Sequence, residues 1–252
     1  MSREIRIRQP RNLPRGQLPR KRRWPWIVAL LAVLVGLGWY SVHHHAEAVE
    51  ADSAPRSFAA PRGSRNTTAR CFIVVIDESS SMAGSDPNHL RAGAINETVR
   101  FLRAYGLPGD ELGGGWFADS TAFTDPSTVG SVTTDWSAPN VGGGTNMVAA
   151  VVEAEQKLGQ CSAQPVLLLV TDGQADDMTA VGNLIRGLSA DTRVHLVAMN
   201  IDGGYDSIAQ AWEDPALGID SIERIDEVRP LAVAQAIAHI LELETGQQIA
   251  VD

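Results

Sequence analysis

The sequence predicts an α/β domain built on a doubly wound, mainly parallel sheet with helices on both faces, preceded by one transmembrane helix. Three observations carry this. Short apolar runs without polar alternation recur between stretches of helical period, the pattern of strands buried on both faces. A nineteen-residue run without a charge lies near the start of the chain. Charge is also divided unevenly over the 252 residues: the first 23 hold nine basic residues against one acid, so a net charge of −9 leaves −17 for the remainder. With 44% hydrophobic residues and two cysteines, the composition excludes a disulfide-dense mini-protein, a Cys-rich zinc domain and a low-complexity disordered chain.

Residues 1–23 read as a basic cytoplasmic tail, and 24–42, from Trp24 to Val42, as the membrane span. At 1.5 Å per residue the run reaches roughly 28 Å, close to the thickness of a bilayer's hydrocarbon core. Trp24 and Trp26 at one end and Trp39 and Tyr40 at the other suit the two headgroup interfaces, and the +8 flank keeps the N-terminus inside. This predicts a single-pass anchor in the cell membrane with the following domain extracytoplasmic. A cleaved signal peptide is the competing reading, because Ala46-Glu47-Ala48 offers a small-x-small site. That site lies far beyond the apolar run, which favours the anchor.

Residues 43–69 have balanced charge and no sustained period, and read as a flexible linker. Its His43-His44-His45 triplet is poorly arranged to converge on one metal ion. From there Cys71–Ile76 predicts a buried strand, and Asn88–Tyr105 a helix after Asp86-Pro87. Gly115–Ala118 and Thr121–Phe123 predict a hairpin at a sheet edge. Between them and the next helix, Asp125–Val141 reads as a loop with at most a short strand at Gly130–Thr134. Asn146–Leu158 is a helix, Val166–Val170 a strand, Met178–Ser189 a helix and Val194–Met199 a strand. A last helix, Pro230–Glu244, starts on proline and ends at Gly246. The domain is assigned to 70–246 and a short tail to 247–252.

In such sheets chemistry gathers beyond the carboxyl ends of the strands. Three loops meet that description: Asp77-Glu-Ser-Ser-Ser-Met82 after the first strand, Gly142-Gly-Gly-Thr-Asn146 before a helix, and Thr171-Asp-Gly-Gln174 after a central strand. They offer Asp77, Ser79, Ser81, Thr145 and Asp172. All five are oxygen donors, two carboxylates and three hydroxyls without a thiol, which suits a hard divalent cation, Mg²⁺ ahead of Ca²⁺ or Mn²⁺. Glu78, Asp86, Asp176 and Asp177 would crowd the same edge and concentrate cations there, Asp86 reading more simply as a helix cap.

These motifs, in this order, make residues 70 to 246 resemble the von Willebrand factor type A family, whose metal-ion-dependent adhesion site combines Asp-x-Ser-x-Ser, a Thr from a second loop and an Asp from a third. The resemblance implies that Ser79, Ser81 and Thr145 touch the metal directly, that Asp77 and Asp172 act largely through waters, and that the open position takes an Asp or Glu carboxylate of a protein partner. It also places the strands that follow Cys71 and Cys161 side by side and parallel, with both cysteines at the amino-terminal edge. A Cys71–Cys161 disulfide is therefore expected outside the cytoplasm, two buried thiols being the alternative. Ser80 departs from the family's frequent Gly, and Asn200-Ile-Asp-Gly-Gly204 from its usual small apolar pattern.

Other chemistries fit less well. A hydrolytic serine lacks a Gly-x-Ser-x-Gly elbow, and only His89, His195 and His239 are available in the domain as bases. An aspartyl phosphotransferase would want an acid where Ser79 stands. No enzyme activity is expected, and a domain of −17 is the wrong charge for a nucleic-acid partner. The leading expectation is a membrane-anchored module that binds a protein partner through a metal bridge. The alternative is an assembly or scaffold subunit of a cell-envelope complex whose metal site is structural or vestigial. Nineteen Arg against two Lys suggest a GC-rich bacterial genome, and the sequons at Asn66 and Asn96 are read as chance.

Overall fold

In the computed structural model, residues 56–133, 136–199 and 211–252 are described. The basic tail, the span at 24–42, the histidine triplet and the Asn200–Gly204 segment lie outside them. Among the described residues no helix is long and apolar enough to cross a membrane.

The chain runs β1 (Arg70–Asp77), α1 (Met82–Ser85), α2 (Leu90–Tyr105), β2 (Glu111–Phe117), β3 (Thr121–Phe123), β4 (Ser127–Thr128), α3 (Met147–Leu158), β5 (Gln164–Thr171), α4 (Met178–Gly187), β6 (Arg193–Met199), β7 (Ser221–Ile225) and α5 (Pro230–Thr245). The strands form a seven-stranded sheet in the order β3-β2-β1-β5-β6-β7, with β4 also on β2. β2, β1, β5, β6 and β7 are parallel, and β3 and β4 are antiparallel to β2. The apolar runs are buried on both faces because the strand period sorts them into two cores. Phe72, Val74 and Ile76 join α2 and α5 on one side, while Cys71, Ile73 and Val75 join α3 and α4 on the other. The expected doubly wound sheet is present.

Three details differ from the sequence expectation. β2 starts at Glu111 and runs through three glycines, because aromatic rings lie on its backbone. A Cβ at Gly114 would stand 2.6 Å from the Trp136 ring, and one at Gly115 2.2 Å from Phe123. The short strand expected at Gly130–Thr134 is instead β4, where the Ser131 hydroxyl and N–H both donate to the Thr128 carbonyl (2.8 Å each) and end the strand in a turn. β7 had no apolar run to announce it. It is a five-residue edge strand with Glu223 and Arg224 at its centre, charges that suit an edge.

The described part of the linker and the tail also belong to the folded unit. Phe58 is buried against Phe101, with ring centroids 5.8 Å apart. Its N–H donates to Glu97, and Ala59, Arg62 and Asp252 exchange backbone hydrogen bonds with Ala250, Gln248 and Ser57. Ile249 of the tail is buried with them. Phe58, these backbone bonds and the Arg65–Asp110 pair together fasten residues 56–69, which periodicity alone does not reveal.

Candidate metal-binding site

β1 and β5 are neighbours in register, Ile76 opposite Val170, so their carboxyl ends deliver Asp77 and Asp172 to the same edge. Asp77 is fully buried. Its Oδ1 accepts the Ser79 N–H (2.8 Å) and its Oδ2 the Thr171 hydroxyl (2.7 Å). That first bond curls the loop so that the Ser79 and Ser81 hydroxyls meet at 2.9 Å. Ser81 then leads into α1, from which the Ser85 hydroxyl reaches Asp172 Oδ2 at 3.3 Å. Asp172 Oδ1 also accepts the Gln174 N–H (3.2 Å).

Thr145 comes from the glycine loop that precedes α3. Asn146 caps that helix through Ala149 N–H (3.1 Å), and its own N–H donates to Ala118 O (2.7 Å) at the end of β2. The loop is tied to the serine loop by Ser80 N–H to Gly143 O (3.0 Å). Ser80 itself is exposed, so its bulk, at a position where glycine is common in similar motifs, is spent on the surface. All five predicted donors thus stand on three hydrogen-bonded loops at one edge.

The electrostatics of the edge are unbalanced. Burial pushes the Asp77 carboxyl up to about 6, against the pull of its hydrogen bonds from Ser79 and Thr171, and the charge of Asp172 adds to the rise. Asp172 is only 4% exposed, and among the described residues no basic side chain is paired with either acid. Two buried carboxylates sharing an edge with three hydroxyl oxygens and lacking a cation fit a hard divalent ion.

The neighbouring acids behave differently from the sequence expectation. Glu78 and Asp86 are not free acids at the edge: the buried Arg91 guanidinium bonds both, at 2.6 and 2.8 Å, and offsets one of their two charges. Asp86 does open α2 as a cap, accepting Leu90 and Arg91 N–H, but from a fully buried position. Asp176 and Asp177 are exposed, the latter capping α4. Arg91, Thr171 and Ser85 escaped the sequence reading. Only Thr171 carried a signal, standing beside Asp172 at the strand end. Of the histidines, His89 is exposed in the left-handed conformation, His195 is buried between Ser221 and Glu244, and His239 bonds Glu223.

At the opposite edge the expected disulfide is formed. Cys71 and Cys161 are bonded with Cα atoms 5.9 Å apart, closing a separation of 90 residues.

No protein-family model matches the sequence, and no curated protein matches it. Solved structures do. The pilus adhesin SpaC from Lactobacillus rhamnosus GG, in its open conformation, superposes with a TM-score of 0.58 at 14% identity over 73% of this chain. The PilB minor pilin from Streptococcus sanguinis gives 0.56 at 11% identity over 72%. The fold is shared with these two pilus proteins. The matched region spans 31% of the SpaC chain and 62% of the PilB chain. A von Willebrand factor type A protein from Catenulispora acidiphila aligns over 74% of this chain with a TM-score of 0.47, too low to carry weight.

Proposed function

We propose that the chain is a membrane-anchored, extracytoplasmic binding module of the von Willebrand factor type A kind, which captures a protein partner through a divalent cation bridging to a partner's Asp or Glu carboxylate. The observation that carries this is the pair of buried, unneutralised carboxylates, Asp77 and Asp172, on loops that also present Ser79, Ser81 and Thr145. In this reading Ser79, Ser81 and Thr145 hold the ion, Mg²⁺ before Mn²⁺ or Ca²⁺, while Asp77 and Asp172 balance its charge largely through waters. The ion supplies a positive site in an edge that would otherwise repel an acidic ligand, so capture depends on metal. Two proteins that share the fold are by name a pilus adhesin and a minor pilin, which supports protein binding over catalysis. Residues 24–42 supply the anchor in this reading, on the strength of their length and flanking charge.

The test is capture of a partner from an envelope extract by the full chain, with and without EDTA, comparing wild type with Asp77→Ala and Thr145→Ala. Both variants and EDTA should abolish capture. Capture that survives all three would show that no metal bridge is made.

A further inference from the structure

We infer that Asp119, in the turn between β2 and β3, is a positioning residue of the cation site, an inference that rests on the metal-bridge reading and asks how Thr145 and the serine loop are held in register. The two loops come from different parts of the chain and meet at Gly143. Its carbonyl accepts the Ser80 N–H at 3.0 Å, and its own N–H donates to Asp119 Oδ2 at 2.8 Å. One residue therefore links the Asp119 carboxylate to the backbone between Ser79 and Ser81, two positions before Thr145.

The glycine run is shaped around that carboxylate. A Cβ at Gly142 would lie 2.3 Å from Asp119 Oδ2, and one at Gly144 2.1 Å from Oδ1. Gly142 also has φ +96°, which side chains other than hydrogen rarely adopt. The rest of the turn reinforces the docking: Ser120 N–H and hydroxyl both donate to Val141 O (3.0 and 3.1 Å), and Ala118 O accepts Asn146 N–H (2.7 Å). Residues 118–120 thus grip segment 141–146 at its start, middle and end. The middle grip is the one made by a charged side chain, and a carboxylate accepts an N–H more strongly than a neutral oxygen does. Asp119 is exposed and contributes nothing to either core. Its removal should therefore loosen the Thr145 loop without unfolding the sheet. Gly142 and Gly144 leave the space in which the loop closes on Asp119.

The experiment is calorimetric titration of the full chain in detergent with MgCl₂. Asp119→Ala should weaken Mg²⁺ binding by about tenfold or more, the range found when groups that orient metal ligands are removed, while the metal-free melting temperature stays that of wild type. Asp119→Asn keeps an acceptor for Gly143 N–H and should restore affinity to within about threefold of wild type. Equal Mg²⁺ affinity in wild type and Asp119→Ala would overturn the inference, and so would an Asp119→Asn variant as weak as the alanine. If Asp119→Ala does not fold, Gly144→Ala carries the test: it forces the loop off the carboxylate, and an unchanged affinity would equally overturn the assignment. A wild-type chain that binds no Mg²⁺ would instead sink the metal reading itself, and the positioning role with it.

Discussion

The two edges of the sheet treat buried charge in opposite ways. At the amino edge, among the described residues, the buried acids have basic partners. Glu244, 1% exposed, receives Arg70 at 2.8 Å, His195 at 2.9 Å and Arg193 at 3.5 Å. Burial would raise its carboxyl, but the hydrogen bond and charge of His195, followed by Arg70 and Arg193, outweigh it and hold Glu244 below the usual range. Asp110 is likewise buried against Arg65 and the N–H groups of Arg70 and Leu107, and a disulfide closes the same end. At the carboxyl edge, among the described residues, Asp77 and Asp172 meet hydroxyls and N–H groups only. That difference is what the proposed cation site rests on: acids paired with bases at one end, and two acids bonded by hydroxyls and N–H groups at the other.

The contrast is broken most directly at Glu244. Glu244→Ala leaves the half-buried Arg70 without its counter-charge and the buried His195 Nε2 without its hydrogen-bond partner, and should cost about 4 kcal/mol in urea unfolding. A loss of under about 1 kcal/mol would mean the amino edge is not held by that network. The disulfide comes next. Replacing both Cys71 and Cys161 with alanine should cost about 3 kcal/mol by releasing a long loop in the unfolded chain, and denatured, unreduced wild type should show no titratable thiol. Neither change should alter Mg²⁺ affinity, because the two edges are separate in both geometry and charge. Phe58→Ala should cost about 2 kcal/mol, since its ring fills the space beside Phe101 that fastens the stem to the domain.

Some of this was legible beforehand because the physics is local. Cys71–Ile76 and Val166–Val170 are too apolar to be anything but central strands, and an oxygen donor set at their ends follows from Asp77-x-Ser-x-Ser81 and Thr171-Asp172 being adjacent to those runs. What stayed hidden depends on partners distant in sequence. Nothing in the charge of Glu78 or Asp86 says that one Arg91 will bind both, since that requires the first turn of α2 to lie against the loop. Phe58 sat in a linker-like composition, and its bridging partner, Val251, lay in a tail of six residues. Gly113-Gly114-Gly115 looks like a chain that avoids strand structure until the rings of Trp136 and Phe123, from a loop and an edge strand, are placed on it.

The smallest predicted effect is the one that reads the open edge itself. Asp77 titrates near 6 in the folded chain against 3.8 unfolded, so the protonated form is the one the metal-free fold prefers. Below pH about 3 both states are protonated and the residue costs nothing. As the pH rises from about 3 to 6 the unfolded state ionises first and stability falls, and above 6 the loss is complete, on the order of 3 kcal/mol. Asp77→Asn removes the charge and keeps an acceptor for one of the two bonds. Without metal it should therefore melt at or above the wild-type temperature at pH 7.5, and that advantage should be lost near pH 3. Saturating Mg²⁺ should reverse the order at pH 7.5, because only the wild type gains from the ion, by about 2.7 kcal/mol at a hundredfold excess over Kd. Melting curves at the two pH values, with and without Mg²⁺, decide it. If Asp77→Asn lowers the metal-free melting temperature at pH 7.5, the bonds to Ser79 and Thr171 outweigh the buried charge, and the carboxyl edge is closed by its own hydroxyls much as the amino edge is closed by its arginines.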